Sequence, residues 1–128
     1  MKKEAKQKIK EILKRTRTSR LKDISYTLDD WTHMHILKKM SWSWNDNGNG
    51  RQQAKKEAEY YREQDLKIGT FVLHYYSNPT MSRHHVYWDE ALYLRKSKEN
   101  LSFGDIKYII DTIAEIIDGR QARAEKAA

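Results

Sequence analysis

Six isoleucines near the C-terminal end place the strongest constraint on the fold of this chain. They are Ile106, Ile109, Ile110, Ile113, Ile116 and Ile117. Steps of three and four residues put them on one face of an α-helix, and an apolar face of that size is buried against a core. Ser102 to Asp105, just before them, has the character of a capping box. We therefore predict a core helix that begins near Ser102 and ends before Gly119.

The opposite end of the chain is strongly basic. Residues 1–22 hold ten Lys and Arg against two Glu, whereas the remaining residues hold 15 basic and 16 acidic groups, so the net charge of +7 resides at the N-terminus. Apolar residues recur at helical spacing from Ala5 to Leu13. The sequence predicts a basic helix over residues 1–20, and its charge indicates a polyanionic partner.

From Ile24 to Leu28, and again from His33 to Trp44, apolar and polar residues alternate. This period of two predicts two strands joined by a three-residue loop. A helix over residues 30–40 is the alternative interpretation of the second stretch. In the strand interpretation, Trp42 and Trp44 are core residues.

The middle of the chain contains a loop, a helix and a second hairpin. Residues 45–50 are rich in Asn and Gly and predict the loop, and good helix formers fill residues 52–64. Alternation on both sides of Asn78-Pro79 predicts a hairpin in which Ser77 pairs with Ser82. Its second strand either continues to Leu94 or ends in a short helix near residue 89.

Together these elements predict an α+β fold, with helices at the N-terminus, in the middle and at the C-terminus, packed on an antiparallel sheet of two hairpins. We expect a single domain over residues 1–128, with a body at 21–119 and a polar tail at 120–128. The chain has no Cys and no apolar run of the length that a membrane span needs. We therefore expect no membrane span and a cytoplasmic protein.

The basic helix and the polar face of the second hairpin are the candidate nucleic-acid contacts. Lysines and arginines contact phosphates, and exposed aromatic rings on a sheet stack on unpaired bases. The candidate residues are Lys6, Lys10, Lys14, Arg15, Arg17 and Arg20 on the helix, and Tyr76, Arg83 and Tyr87 on the sheet.

Histidines on the predicted strands are candidate metal ligands. If both hairpins lie in one sheet, four imidazoles share a face, and such a cluster binds a divalent transition metal. They are His33, His35, His74 and His85. Histidine also serves as a polar residue on a half-exposed strand that has no metal, and we favour that interpretation.

The segment Thr32-His33-Met34-His35-Ile36-Leu37 resembles the His-hydrophobic-His strand of the HUH single-strand nucleases. The resemblance implies that His33 and His35 bind a divalent metal. It also implies a tyrosine nucleophile on a later helix, for which Tyr60, Tyr61 and Tyr108 are the candidates.

The sequence favours a small protein that binds nucleic acid through its basic helix and uses no cofactor. It contains no phosphate-binding loop, nucleophile elbow or zinc-protease motif, so we assign no catalytic residue. The alternative is a non-enzymatic regulator or inhibitor of phage or mobile-element type, whose basic helix docks on an acidic protein surface. An HUH-like nuclease is the third hypothesis.

Overall fold

The fold consists of three helices and a three-stranded antiparallel sheet. The computed structural model describes residues 1–39, 63–81 and 86–127. Within them the helices are α1 (Lys3–Lys14), α2 (Thr18–Lys39) and α3 (Phe103–Ala127), and the strands are β1 (Glu63–Ile68), β2 (Phe71–Met81) and β3 (Val86–Leu94). The sheet order is β1-β2-β3. The predicted α+β class with an antiparallel sheet is therefore confirmed.

All three helices pack on one face of the sheet. Ile9 and Leu13 of α1 join Leu73 of β2 and the buried isoleucines of α3 in one apolar core. The isoleucine stripe is confirmed as the core face of α3. The capping box is confirmed as well, because the Ser102 N–H donates to Asp105 Oδ2 at 2.8 Å and the Asp105 N–H donates to Ser102 Oγ at 3.1 Å.

The predicted strands over residues 24–39 are wrong, because this segment is the helix α2. Ile24 and Leu28 fit a period of two and a helical period equally well, since residues four apart share a face in both. Tyr26 and Ile36 decide between them: the alternation places both on the core side, but Tyr26 is 71% exposed and Ile36 is 54% exposed. The alternative helix over residues 30–40 is confirmed up to Lys39, and Trp42 and Trp44 lie outside the described residues.

The second hairpin exists, but its predicted register is wrong by eight residues. Leu73 pairs with Leu94 instead of Val86, and Asn78 and Pro79 lie within β2 instead of forming a turn. Within the described residues the ladder between β1 and β2 ends at the pair Glu63 and Tyr76. Among the described residues, Pro79 pairs only with Trp88 of β3, and a strand tolerates proline at a position of this kind. Because the shift is even, Leu73 stays on the predicted core face and His74 on the opposite face.

Two predicted boundaries also change. Residues 52–62 lie outside the described residues, but Gln64, the last residue of the predicted middle helix, lies in β1. The predicted tail from residue 120 to 127 continues α3 as an exposed helix. Gly119 does not end α3, since the residues that follow it are good helix formers.

Among the described helices, none combines the length and apolar character needed to cross a bilayer.

Candidate functional site

The basic residues of α1 lie on two different sides of the helix. Lys6, Lys10 and Lys14 are four residues apart and form what we call the α3-facing flank. Lys8 and Arg15 are seven residues apart, about two turns, and form the cleft-facing flank. The apolar face with Ile9 and Leu13 lies between the two flanks and is buried in the core.

The α3-facing flank is engaged in contacts within the protein. Lys6 Nζ lies 3.9 Å from Asp105 Oδ1 and 5.0 Å from the centre of the Tyr108 ring. Lys14 Nζ lies 3.6 Å from Glu11 Oε1, and its backbone carbonyl accepts a hydrogen bond from the Arg120 guanidinium at 3.1 Å. Two of the three lysines on this flank, Lys6 and Lys14, therefore already have a carboxylate within 4 Å.

Asp105 is the anion at the centre of these contacts. Its Oδ2 accepts a hydrogen bond from the Met1 amino group at 2.8 Å, and this contact is partly buried. Burial by itself raises the pKa of Asp105. Hydrogen bonds from the Met1 amine and from Ser102 outweigh burial and hold the pKa of this carboxyl below its ordinary value.

The remaining predicted helix cations have mixed roles. Arg20 donates to the backbone carbonyl of Lys67 at 2.8 Å and so joins α2 to β1. Arg17 lies between α1 and α2 and is exposed. Of the six predicted phosphate contacts, only Arg15 lies at the cleft described next.

A cleft of about 750 Å³ separates the cleft-facing flank of α1 from one end of the sheet. Its apolar lining residues, which we call the floor, are Ile12, Phe71, Val72 and Leu94. Its rim carries four cations: Lys8 and Arg15 on the α1 side, and Arg95 and Lys96 directly after β3 on the opposite side. We call this region the cationic cleft.

The turn between β1 and β2 forms one wall of the cationic cleft. Gly69 has a φ of +60°, and a Cβ added there would lie 2.8 Å from the Ile12 Cδ1 atom. Glycine is therefore required at position 69 for two reasons: the backbone conformation and the close approach of the turn to α1. Thr70, the next residue, is exposed and lines the cleft.

Most of the rim charge is available to a ligand. Among the described residues, Lys8, Arg15 and Lys96 have no carboxylate partner. The acidic member of the lining, Glu11, faces Lys14 and accepts a hydrogen bond from Gln7 Nε2 at 2.9 Å. The rim therefore has a net positive charge above an apolar floor.

Arg95 is held at the rim by acidic residues of β1. Its Nε donates to Asp65 Oδ1 at 2.8 Å, and its terminal nitrogen lies 3.4 Å from Glu63 Oε1. The hydrogen bond to Asp65 raises the pKa of Arg95. Burial raises the pKa of Asp65, but the hydrogen bonds from Arg95 and His74, together with the attraction of their charges, lower the pKa overall.

His74 belongs to this same network and not to a histidine cluster. It is buried on the sheet face opposite the helices, with Nδ1 2.6 Å from Asp65 Oδ1 and its ring 4.9 Å from the Tyr93 ring. The observed register pairs it with Tyr93, so the predicted cross-strand pair with His85 is wrong.

Residues 82–85, which include Arg83 and His85, lie outside the described residues. Tyr76 is half-buried in β2, and the Tyr87 side chain is not among those described.

His33 and His35 lie on α2, so the strand implied by the HUH resemblance is wrong. Residues two apart on a helix do not face each other, and this pair therefore cannot bind one metal in the manner of that family. His35 Nδ1 lies 2.6 Å from Glu90 Oε1, and its ring stacks on Phe103 at 3.8 Å.

Within the part of the chain that the structure describes, no three His, Asp or Glu side chains form a group suited to a metal ion. Tyr108 packs beneath Lys6, and Tyr60 and Tyr61 lie outside the described residues.

Sequence reasoning missed the residues that complete the cationic cleft: Lys8, Arg95 and Lys96 on the rim and Phe71 and Val72 on the floor. A partial signal was present, since Lys8 and Arg15 lie two turns apart on either side of Ile12. The other wall comes from residues about 60 to 80 positions later, which helical periodicity cannot relate to α1.

No protein-family model, curated protein or solved structure matches this chain. The function is therefore argued from the geometry and charge of the cationic cleft.

Proposed function

We propose that this protein binds nucleic acid and that the cationic cleft is the main contact surface. One observation carries the proposal: cations stand on two opposite sides of one groove, with Lys8 and Arg15 on α1 and Arg95 and Lys96 beyond β3. A nucleic-acid strand that runs across the groove meets positive charge on both sides.

The physical basis of binding is the repeating charge of the phosphate backbone. Lysines and arginines that neutralise phosphates release condensed counterions, and that release supplies affinity without base-specific geometry. The three rim cations without a carboxylate partner among the described residues are best suited to this role, since Arg95 is already paired with Asp65. Lys6 and Lys14 of the α3-facing flank contribute less, because Asp105 and Glu11 neutralise part of their charge.

The two-sided arrangement favours nucleic acid over the other polyanions. A lipid headgroup offers its charge at one end of an apolar chain, whereas a strand offers one phosphate before and one after each base. An acidic protein surface remains the alternative partner, in line with the regulator hypothesis. A cytoplasmic location and an origin in a phage or mobile element remain predictions from the sequence alone.

The test compares two double variants of α1 that change the net charge equally. Lys8→Glu with Arg15→Glu reverses the cleft-facing flank. Lys3→Glu with Lys10→Glu is the matched control, because both positions lie on the other side of α1. Removal of residues 1–22 is unsuitable, because it also deletes Ile9 and Leu13 from the core.

Binding is measured by fluorescence anisotropy with labelled single-stranded DNA, duplex DNA and RNA over a salt series. We expect the cleft-facing variant to lose at least about tenfold in affinity and to reduce the slope of log affinity against log salt by about 0.7 to 0.9 per cation. The control variant should stay within about threefold of the unaltered protein. Equal losses in both variants, or no binding of any nucleic acid at low salt, would contradict the proposal.

A further inference from the structure

We infer that the cationic cleft accepts one unstacked base, which makes single-stranded nucleic acid the preferred ligand over a duplex. This inference rests on the proposed function and extends it from the charged rim to the apolar floor. Phosphate binding alone requires cations on an accessible surface and no cavity. A cleft of about 750 Å³ with an apolar floor indicates an additional apolar group of the ligand.

The floor has the composition that suits a base. Phe71 contributes an aromatic ring, and Ile12, Val72 and Leu94 contribute aliphatic surface from three different elements. Phe71 and Val72 are only half-buried, so each keeps accessible surface for a ligand. Proteins that bind single strands combine a cationic groove with apolar and aromatic surfaces on which bases stack.

The position of the charge relative to the floor agrees with this ligand. Lys8 on α1 and Lys96 after β3 are both exposed, and both line the same cleft. In a single strand, each base is flanked by a phosphate on either side, so a base on the floor places its phosphates near both rims. In a duplex the bases are paired and stacked inside the helix, so no base is free to contact the floor of the cleft.

Backbone hydrogen bonds hold the walls of the cleft in place before any ligand binds. The Arg95 N–H donates to the Val72 carbonyl at 2.9 Å, and the Lys98 N–H donates to the Leu94 carbonyl at 2.9 Å. On the other wall, Gly69 allows the turn to rest directly on Ile12. A preformed cleft lowers the ordering cost of binding.

The test separates the base from the phosphates by using three probes with equal numbers of phosphates. They are a thymidine dodecamer, a dodecamer of abasic nucleotides and a short duplex hairpin, each labelled for anisotropy. We expect the full-length protein to bind the thymidine dodecamer about tenfold more tightly than the abasic one, the loss expected for one stacked base. It should also bind the thymidine dodecamer more tightly than the hairpin.

A second arm fills the cleft without changing its charge. Thr70→Trp places an indole at the exposed wall, and Ser19→Trp at an exposed position of α2 is the matched control. Thr70→Trp should lower the affinity for the thymidine dodecamer to the abasic level and leave the salt slope unchanged. Val72→Thr is close to isosteric and should produce a smaller loss of affinity for the thymidine dodecamer. This variant keeps the inference testable if Thr70→Trp does not fold.

The outcomes distinguish this inference from the proposed function. Equal affinity for the thymidine and abasic dodecamers, unchanged by Thr70→Trp, would show that the cationic cleft does not accept a base. The proposed binding of phosphates would not be affected by that result. Tighter binding of the hairpin than of the thymidine dodecamer would also overturn it. If none of the probes binds while phosphatidylglycerol vesicles do, both the inference and the proposed function fail.

Discussion

The two flanks of α1 carry the same kinds of residue on the same helix but face different surroundings. On the α3-facing flank, Lys6 meets the carboxylate of Asp105 and the ring of Tyr108. On the cleft-facing flank, Lys8 and Arg15 meet an apolar floor and other cations. The comparison shows that cations of one helix have different surroundings, which the net charge of the helix does not reveal.

The largest effect on the α3-facing flank should come from Asp105→Asn. The Met1 amine loses its anionic partner in a partly buried contact, which costs about 3 kcal/mol in the free energy of unfolding. Urea denaturation measures this cost. Asp111→Asn is the matched control on the same helix, because its partner Lys107 is exposed and the change should cost less than about 0.5 kcal/mol. Nucleic-acid affinity should not change in either variant, and equal stability losses would show that Asp105 has no special role.

The same carboxyl makes stability depend on pH in a defined direction. The pKa of Asp105 in the folded protein lies below its ordinary value of 3.8. Its stabilising contribution is therefore complete above the unfolded pKa and is lost as the pH falls through the folded pKa. Between about pH 6 and about pH 3, the unaltered protein should lose more stability than Asp105→Asn, as measured by urea midpoints. Parallel pH profiles of the two proteins would refute this assignment.

A smaller effect is expected on the cleft-facing side from Gly69→Ala. The new methyl group meets Ile12 at 2.8 Å in a backbone conformation that alanine disfavours, which costs about 2 kcal/mol. The variant should also bind single strands more weakly, because the turn is one wall of the cleft. Gly119→Ala is the control: nothing lies within 4 Å of its added Cβ, and in the helix it should stabilise by up to about 1 kcal/mol. Thermal or urea unfolding of both variants checks the contrast, and a neutral Gly69→Ala would argue against a rigid wall.

Local sequence patterns predicted the parts of this fold that local contacts determine. The isoleucine stripe and the Ser102 capping box involve residues within a few positions of each other, and both were confirmed. The strands predicted over the residues of α2 were wrong because Ile24 and Leu28 fit two periods, and only the exposure of Tyr26 and Ile36 resolves the choice. Strand β1 was missed because it has only two buried residues to signal alternation.

The candidate site was harder to predict, because long-range contacts build it. The sequence identified α1 as the source of positive charge, but it could not show which cations are neutralised. Asp105, which engages Lys6, lies 99 positions later in the chain. Arg95 and Lys96 reach the cleft only because of the register of β3, and that register was predicted eight residues away from its observed position.

Backbone amide chemical shifts during titration with the thymidine dodecamer provide the most direct test of the cationic cleft as the binding surface. We expect the largest changes at three residues from three separate segments: Lys8, Thr70 and Lys96. Lys10 and Lys14 on the α3-facing flank should change little. Changes concentrated on Lys10 and Lys14, with Thr70 and Lys96 unaffected, would contradict the assignment and place the binding surface on the opposite side of α1.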